Sequence, residues 1–170
     1  MQPPSPFILK YLSEIKPGGS VLDLACGKGR HTRVCLEHGL DVTAVDIDTR
    51  GLGDLAGTAK LTLISADLEN APWPLGEATF DAVIVANYLW RPLFQNIRDA
   101  VAPGGLLLYE TFAAGNERYG KPSNPDFLLQ EGELREVFAK GFGILFSEQV
   151  VEQVPAPAVR QRLAARKSAS

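Results

Sequence analysis

Residues 21–32, VLDLACGKGRHT, decide how the chain is built. Val21 to Leu24 is an almost continuous apolar run broken by one acid, Asp23, and a run of that kind reads as a strand buried on both faces. Two glycines follow at 27 and 29, and from there the pattern suits a helix that Gly39 closes. Strand, tight glycine turn and helix together open a βαβ unit. Glycine turns in that position let the backbone approach a nucleotide-type ligand closely.

Three ligand classes use such turns. A dinucleotide site needs G-x-G-x-x-G, and here the third position is Thr32, which weighs against NAD. A phosphate-binding loop needs G-x-x-x-x-G-K-[ST]; GKGRHT has its lysine before the second glycine and fails the test. The remaining class is a nucleoside without phosphate. Asp23 lies near the end of the first strand, where open α/β sheets bind ligands. Asp46 closes the next apolar run, DVTAVDID, and is placed to accept two hydrogen bonds from a ribose diol. Carboxylates there repel pyrophosphate and suit a ligand carrying sulfonium and ammonium charges. The combination predicts S-adenosylmethionine.

Outward from this unit the alternation continues. Ser5-Pro6 reads as an N-cap and first helical position, with Phe7, Ile8, Tyr11, Leu12 and Ile15 at helical spacing. A helical stretch around Leu52 to Ala59 follows the second strand, LTLISADL is a third strand and FDAVIVANYL a fourth. RPLFQNIRDAVA reads as a helix ending at Pro103-Gly104-Gly105, and GLLLYETF as a fifth strand. Strands alternating with helices imply a parallel sheet covered on both faces. After a polar stretch, AAGNERYGKPSNPDF, and a helix in QEGELREVFAKGF, GILFSEQVVEQV and AVRQRLAARK form two strands that pair antiparallel.

The chain has 170 residues, 45% hydrophobic and 22% charged, which suits a single domain over 1–170. A net charge of −3 gives no general attraction to nucleic acid or anionic membrane. The sequence contains neither an apolar stretch of membrane-spanning length nor a secretory signal, so a cytoplasmic location is expected. Cys26 and Cys35 fit a reducing compartment, and with His31 and His38 they match no zinc spacing.

Five segments in order resemble the class I S-adenosylmethionine-dependent methyltransferases: LDLACGKG, VDID, ISADLENAPWP, FDAVIVANYLW and VAPGGLLLYETF. The CGKGRHT helix start is loosely similar to the tellurite-resistance-type subgroup. The resemblance implies a Rossmann-like α/β fold: a seven-stranded, mostly parallel sheet in the order 3-2-1-4-5-7-6, its last strand antiparallel, with helices on both faces. It also implies cofactor contacts. Asp23, Ala25, Cys26 and Gly27 to Gly29 would lie against the methionine portion; from their own place at a helix start, Lys28 and Arg30 read either as neutralising a ligand carboxylate, Arg30 the favoured one, or as solvated. Asp46 would hold the ribose and Ile47 would pack on the adenine. Asp67 would face the adenine amine with the Leu68 backbone beside it, and Ala86 and Asn87 would leave the fourth strand next to the sulfonium.

Each of these residues has a plainer reading. Asp23 and Asp67 are good local caps, and Cys26 and Cys35 are good small fillers. His31 fits a helix-start surface position as well as a general base. ANYLW lacks the prolines of the amine-methylating Asn/Asp-Pro-Pro-aromatic motif, although Asn87 is still able to orient an amine. Tyr88 and Trp90 divide between substrate pocket and core. The 113–126 loop reads as a lid or as a solvated connector. RQRLAARK reads as the charged protection of an edge strand rather than a nucleic-acid patch. Function is expected to be methyl transfer to a small acceptor, with a protein or nucleic-acid acceptor left open. A non-catalytic binding subunit and an NAD-dependent oxidoreductase are the alternatives.

Overall fold

β1 (Ser20–Leu24) lies inside the sheet because both of its faces are apolar. In the computed structural model, which describes residues 1–169, Leu22 and Leu24 belong to one hydrophobic core and Val21 to the other. The same alternation runs through β2 (Asp41–Asp46), β4 (Phe80–Ala86) and β5 (Val101–Phe112), whereas β3 (Leu61–Ser65) is less buried. α1 (Pro6–Tyr11) and α2 (Arg30–Glu37) cover one face; α3 (Phe94–Ala100) and α4 (Glu133–Phe138) cover the other. β6 (Phe142–Glu152) and β7 (Ala158–Lys167) complete a seven-stranded sheet of order β3-β2-β1-β4-β5-β7-β6. β7 runs antiparallel to β5 and β6, and the other pairs are parallel. This is the expected doubly wound order, and it brings the C-terminal tips of β1, β2 and β4 together where ligands of such sheets bind.

Four local expectations need correction. Ser5 does not cap α1 with its side chain; its backbone N–H donates to His31 Nε2 at 3.0 Å instead. The turn after β2 is a 3-10 segment at Arg50–Leu55, earlier and tighter than the expected helix. α3 ends at Ala100 and β5 begins at Val101, so Pro103-Gly104-Gly105 lies within the strand as an irregularity opposite Asp81. A Cβ on Gly105 would meet Ala102 O at 2.7 Å, which explains a glycine there. Finally, β7 is not an edge strand. It sits between β5 and β6, and its arginines are enclosed by partners on both sides.

The 113–126 stretch is well anchored. Ala113 N–H donates to Val159 O at 2.9 Å and Ala114 N–H to Leu129 O at 2.8 Å. Asn116, 3% exposed, bridges Pro122 O and the Val159 N–H with its amide. Arg91 clamps the far end, bonding Asp126 O, Leu128 O and both carboxylate oxygens of Glu133. No helix among the described residues is long and apolar enough to cross a membrane.

Candidate active site

Asp46, at the tip of β2, ties two loops together. Its Oδ2 accepts the Gly27 N–H at 2.9 Å and its Oδ1 accepts the Asp48 N–H at 3.0 Å. The glycine turn is itself closed by Gly29 N–H on Cys26 O, and Cys26 N–H reaches Val45 O on β2. Gly27 and Gly29 have φ of +56° and +79°, a region side chains rarely occupy. A Cβ on Gly29 would overlap Leu52 at 2.0 Å, so this glycine serves packing; a Cβ on Gly27 would meet no protein atom within 4 Å. The only non-glycine residues with positive φ among those described, Ala25 and Asn87, are both here. Strained backbone confined to two adjacent strand tips marks a place where ligand approach outweighs local comfort.

Around these tips is a cavity of about 700 Å³, lined by Asp23, Ala25, Cys26, Gly27, Lys28, Arg30, His31, Asp46, Ala86, Asn87 and Tyr88, with Met1 and Gln2 at its rim. Asp23 is 2% exposed and accepts a 2.6 Å hydrogen bond from Thr32 Oγ1. Thr32 stands where a dinucleotide fold has its third glycine, and its hydroxyl gives the position a different task. Burial, only partly offset by Thr32, pushes the Asp23 carboxyl up to about 6. Arg30 NH1 bonds Pro3 O but no carboxylate, and burial lowers its pKa. Beside Asp46 and Lys28 the cavity therefore contains the Asp23 carboxylate and the Arg30 guanidinium, each desolvated and, among the described residues, each without an opposite charge in direct contact.

Residues 21–105, which contain the glycine turn, Asp46 and the β4 tip, match the family model described as "Methyltransferase domain". The chain belongs to the S-adenosylmethionine-dependent methyltransferases. It is 30% identical over 153 residues to trans-aconitate 2-methyltransferase from Sinorhizobium fredii, covering 85% of this chain and 54% of that protein. It is 34% identical over 116 residues to malonyl-[acyl-carrier protein] O-methyltransferase from Pseudescherichia vulneris, covering 64% and 45%. Thus it spans about half the length of these curated relatives. Among solved structures, TehB from Haemophilus influenzae shares the fold with a TM-score of 0.76 at 21% identity, over 95% of this chain and 61% of that one.

Of the residues named from sequence for this methyltransferase cofactor, eight line the cavity: Asp23, Ala25, Cys26, Gly27, Arg30, Asp46, Ala86 and Asn87. Gly29 supports from behind. Ile47 is 66% exposed and not in the cavity lining, and Leu68 is in the core. Asp67 caps its own turn, accepting from the Glu69 and Asn70 N–H groups and from the Asn70 amide, which lowers its pKa. His31 is 3% exposed and its Nε2 already accepts the Ser5 N–H; burial lowers it to about 4, so it is neutral and poorly basic. Burial also pushes the Cys26 thiol up, and Cys35, on the apolar face of α2, to about 12; neither is a thiolate at neutral pH.

Beside this cavity is a second, of about 330 Å³, lined by Glu69, Asn87, Tyr88, Leu89, Thr111, Phe112, Pro122 and Phe127. Asn87 and Tyr88 are common to both. Tyr109, buried on β5, fixes the wall between them by donating its hydroxyl to Tyr88 O at 3.0 Å. Sequence reading missed what lies behind. Arg160 on β7 donates to Asn87 Oδ1 and to Glu152, and stacks over Phe112 at 4.2 Å. Arg162 links Glu110, Glu148 and Glu152. The alternation of charges was visible, but the partners of these arginines come from the tip of β4 and from β5 and β6.

Proposed function

We propose that this chain is a catalytically active methyltransferase, taking the methyl group of S-adenosylmethionine to a small-molecule acceptor. The observation that carries the reading is the opposed pair in the larger cavity, a buried Asp23 and a carboxylate-free Arg30 on the two sides of a glycine turn. An amino-acid zwitterion offers an ammonium to the first and a carboxylate to the second. Asp46 then holds the ribose diol with the lone pairs left by Gly27 and Asp48, Ile47 and Leu68 flank the adenine, and Asp67 faces its amine. Ala86 and Asn87 border the sulfonium, so that the methyl group points toward the second cavity.

The acceptor reading draws on three supports. The second cavity is small, in the lower range of ligand pockets, and opens on Asn87 and Tyr88. One relative is named for the small molecule trans-aconitate, and another for a malonyl group carried on acyl-carrier protein. The described residues form one sheet, with its covering helices and no separate recognition domain. Methyl transfer from an activated donor asks mainly for alignment. A cytoplasmic, single-domain enzyme is the corresponding expectation for the whole chain.

Calorimetry with S-adenosylmethionine, S-adenosylhomocysteine and NAD tests the cofactor assignment. Binding of the first two and not the third is expected, with loss in Asp46→Ala. Tritiated donor incubated with a size-fractionated cell extract tests turnover: label in the small-molecule fraction supports the proposal. Binding without any label transfer would leave a non-catalytic subunit as the better reading.

A further inference from the structure

We infer that the acceptor occupies the second cavity and presents an ionised oxygen, a carboxylate, to the side-chain NH2 of Asn87, which Arg160 holds in that orientation; this rests on the methyltransferase reading above. The argument begins with what Arg160 can do. A guanidinium has five N–H donors and no acceptor. Its bond to Asn87 therefore fixes the amide oxygen toward β7 and turns the NH2 away. That NH2 has no protein partner among the described residues, and Asn87 borders both cavities. The backbone cannot relax the arrangement easily: Asn87 has φ +55° and its N–H is tied to Glu110 O at 2.9 Å. Arg160 is in turn held by Glu152 and by the face of Phe112, whose ring lines the second cavity. The group offered to the acceptor is thus a donor, polarised by a cation bonded to its oxygen. An oxygen lone pair satisfies it; an ammonium cannot.

The state of the titratable groups at the cavities points the same way. Neutral alcohols and protonated amines must lose a proton before or during methylation. Among the described lining residues, His31 is neutral with its Nε2 taken, the Cys26 thiol is pushed up by burial, and burial with Glu69 raises the Tyr88 phenol. Two lining carboxylates are already engaged: Glu69 accepts the Tyr88 hydroxyl at 3.2 Å, and Asp46 accepts the Gly27 and Asp48 N–H groups. Asp23 is engaged by Thr32 and faces the amino-acid end of the cofactor. A carboxylate needs no base. Its lone pair forms the new C–O bond as the S–CH3 bond breaks, the bonding pair returns to sulfur, and a neutral ester and a neutral thioether result with no proton released.

The test uses the full chain loaded with S-adenosylhomocysteine, titrated with trans-aconitate, with the malonyl thioester of N-acetylcysteamine, and with putrescine as the amine probe. Turnover with tritiated S-adenosylmethionine is followed for the same three. Expected is binding of at least one carboxylate probe and none of putrescine, with product label released as volatile methanol by alkali, as an ester requires. Arg160→Gln is expected to keep S-adenosylhomocysteine affinity within about threefold while lowering the carboxylate-to-amine preference roughly ten- to a hundredfold; Arg160→Lys, which retains a cation that only donates, restores most of it. Asn87→Asp, an acceptor in place of the donor, is expected to lose the carboxylate probe altogether. Alkali-stable label, preference for putrescine, or no carboxylate bound by a protein that binds S-adenosylhomocysteine each overturns the inference. Failure of wild-type protein to bind S-adenosylhomocysteine instead overturns the reading beneath it.

Discussion

Replacing Asp23 by Asn separates what the buried acid does for the fold from what it does for the ligand. Burial raises its carboxyl from 3.8 to about 6, which disfavours the ionised form by about 3 kcal/mol. Because the folded protein holds this proton more tightly than the unfolded chain, the contribution is most favourable below pH 3.8. It declines as pH rises through 6 and is flat beyond. Asp23→Asn keeps an acceptor for Thr32 Oγ1 and removes the charge. The empty variant is therefore expected to be more stable than wild type at pH 7.5 by up to about 3 kcal/mol, several degrees in Tm for a chain this size, and equal to it at pH 4. Ligand affinity moves the other way, falling roughly ten- to a hundredfold at pH 7.5 because an amide does not balance an ammonium. Wild type should release about half a proton per S-adenosylhomocysteine bound near pH 6, and the variant none. Thermal unfolding from pH 4 to 8, and calorimetry in buffers of different ionisation enthalpy, measure both. A variant that melts lower than wild type at pH 7.5, or that binds S-adenosylhomocysteine equally well, would show that Asp23 is a structural cap and nothing more.

His31 works against Asp23 over the same pH range: lowered from 6.5 to about 4, it supplies stability above 6.5 that is lost as pH falls through 4. His31→Gln should remove that acid sensitivity in unfolding experiments, leaving a protein that gains stability between pH 6 and 4. Gly27→Ala should cost about 1 kcal/mol of stability yet weaken S-adenosylhomocysteine binding at least tenfold, since its methyl group enters the ligand's space. Gly29→Ala, driven into Leu52, should cost roughly 2–5 kcal/mol, and paired melting and binding curves distinguish the two. Arg91→Met frees two carbonyls and Glu133 together; hydrogen exchange should show protection lost across 113–133 while β1 and β2 stay protected.

The strand–helix alternation and the glycine turn were legible because their signals are local, a continuous apolar run, φ-permissive residues, then helical spacing; the sheet order came only with the family resemblance. Asp46 was legible for the same reason, as an acid closing a strand. Asp67 was less so, because a carboxylate that faces an adenine and one that caps Glu69 and Asn70 look alike in sequence. Arg160 was illegible. Its partner Asn87 is 73 residues away, and the two meet only because β7 inserts between β5 and β6. Reading RQRLAARK as an edge strand followed from its charges, although the order implied by the resemblance already placed the last strand inside; the antiparallel insertion encloses those charges. His31 was misleading in the opposite sense, since a helix-start histidine looks exposed until the segment before α1 is laid across it.

The Arg160–Asn87 bond also bears on why the acceptor side is so apolar. Joining a sulfonium to a carboxylate destroys both charges, so the transition state is less polar than the bound reactants. Surroundings that solvate ions well would hold the reactants back, whereas apolar walls with a few fixed dipoles would not. Leu89, Phe112, Pro122 and Phe127 supply such walls, the arginines behind them are already paired, Arg160 with Glu152 and Arg162 with Glu110, and the lining Glu69 accepts the Tyr88 hydroxyl. Paired behind the wall, they orient Asn87 without giving the acceptor a full positive charge in which to settle. A direct arginine contact would grip the carboxylate more tightly and blunt the nucleophile at the same time; an amide held by that arginine aligns it at a lower cost in reactivity.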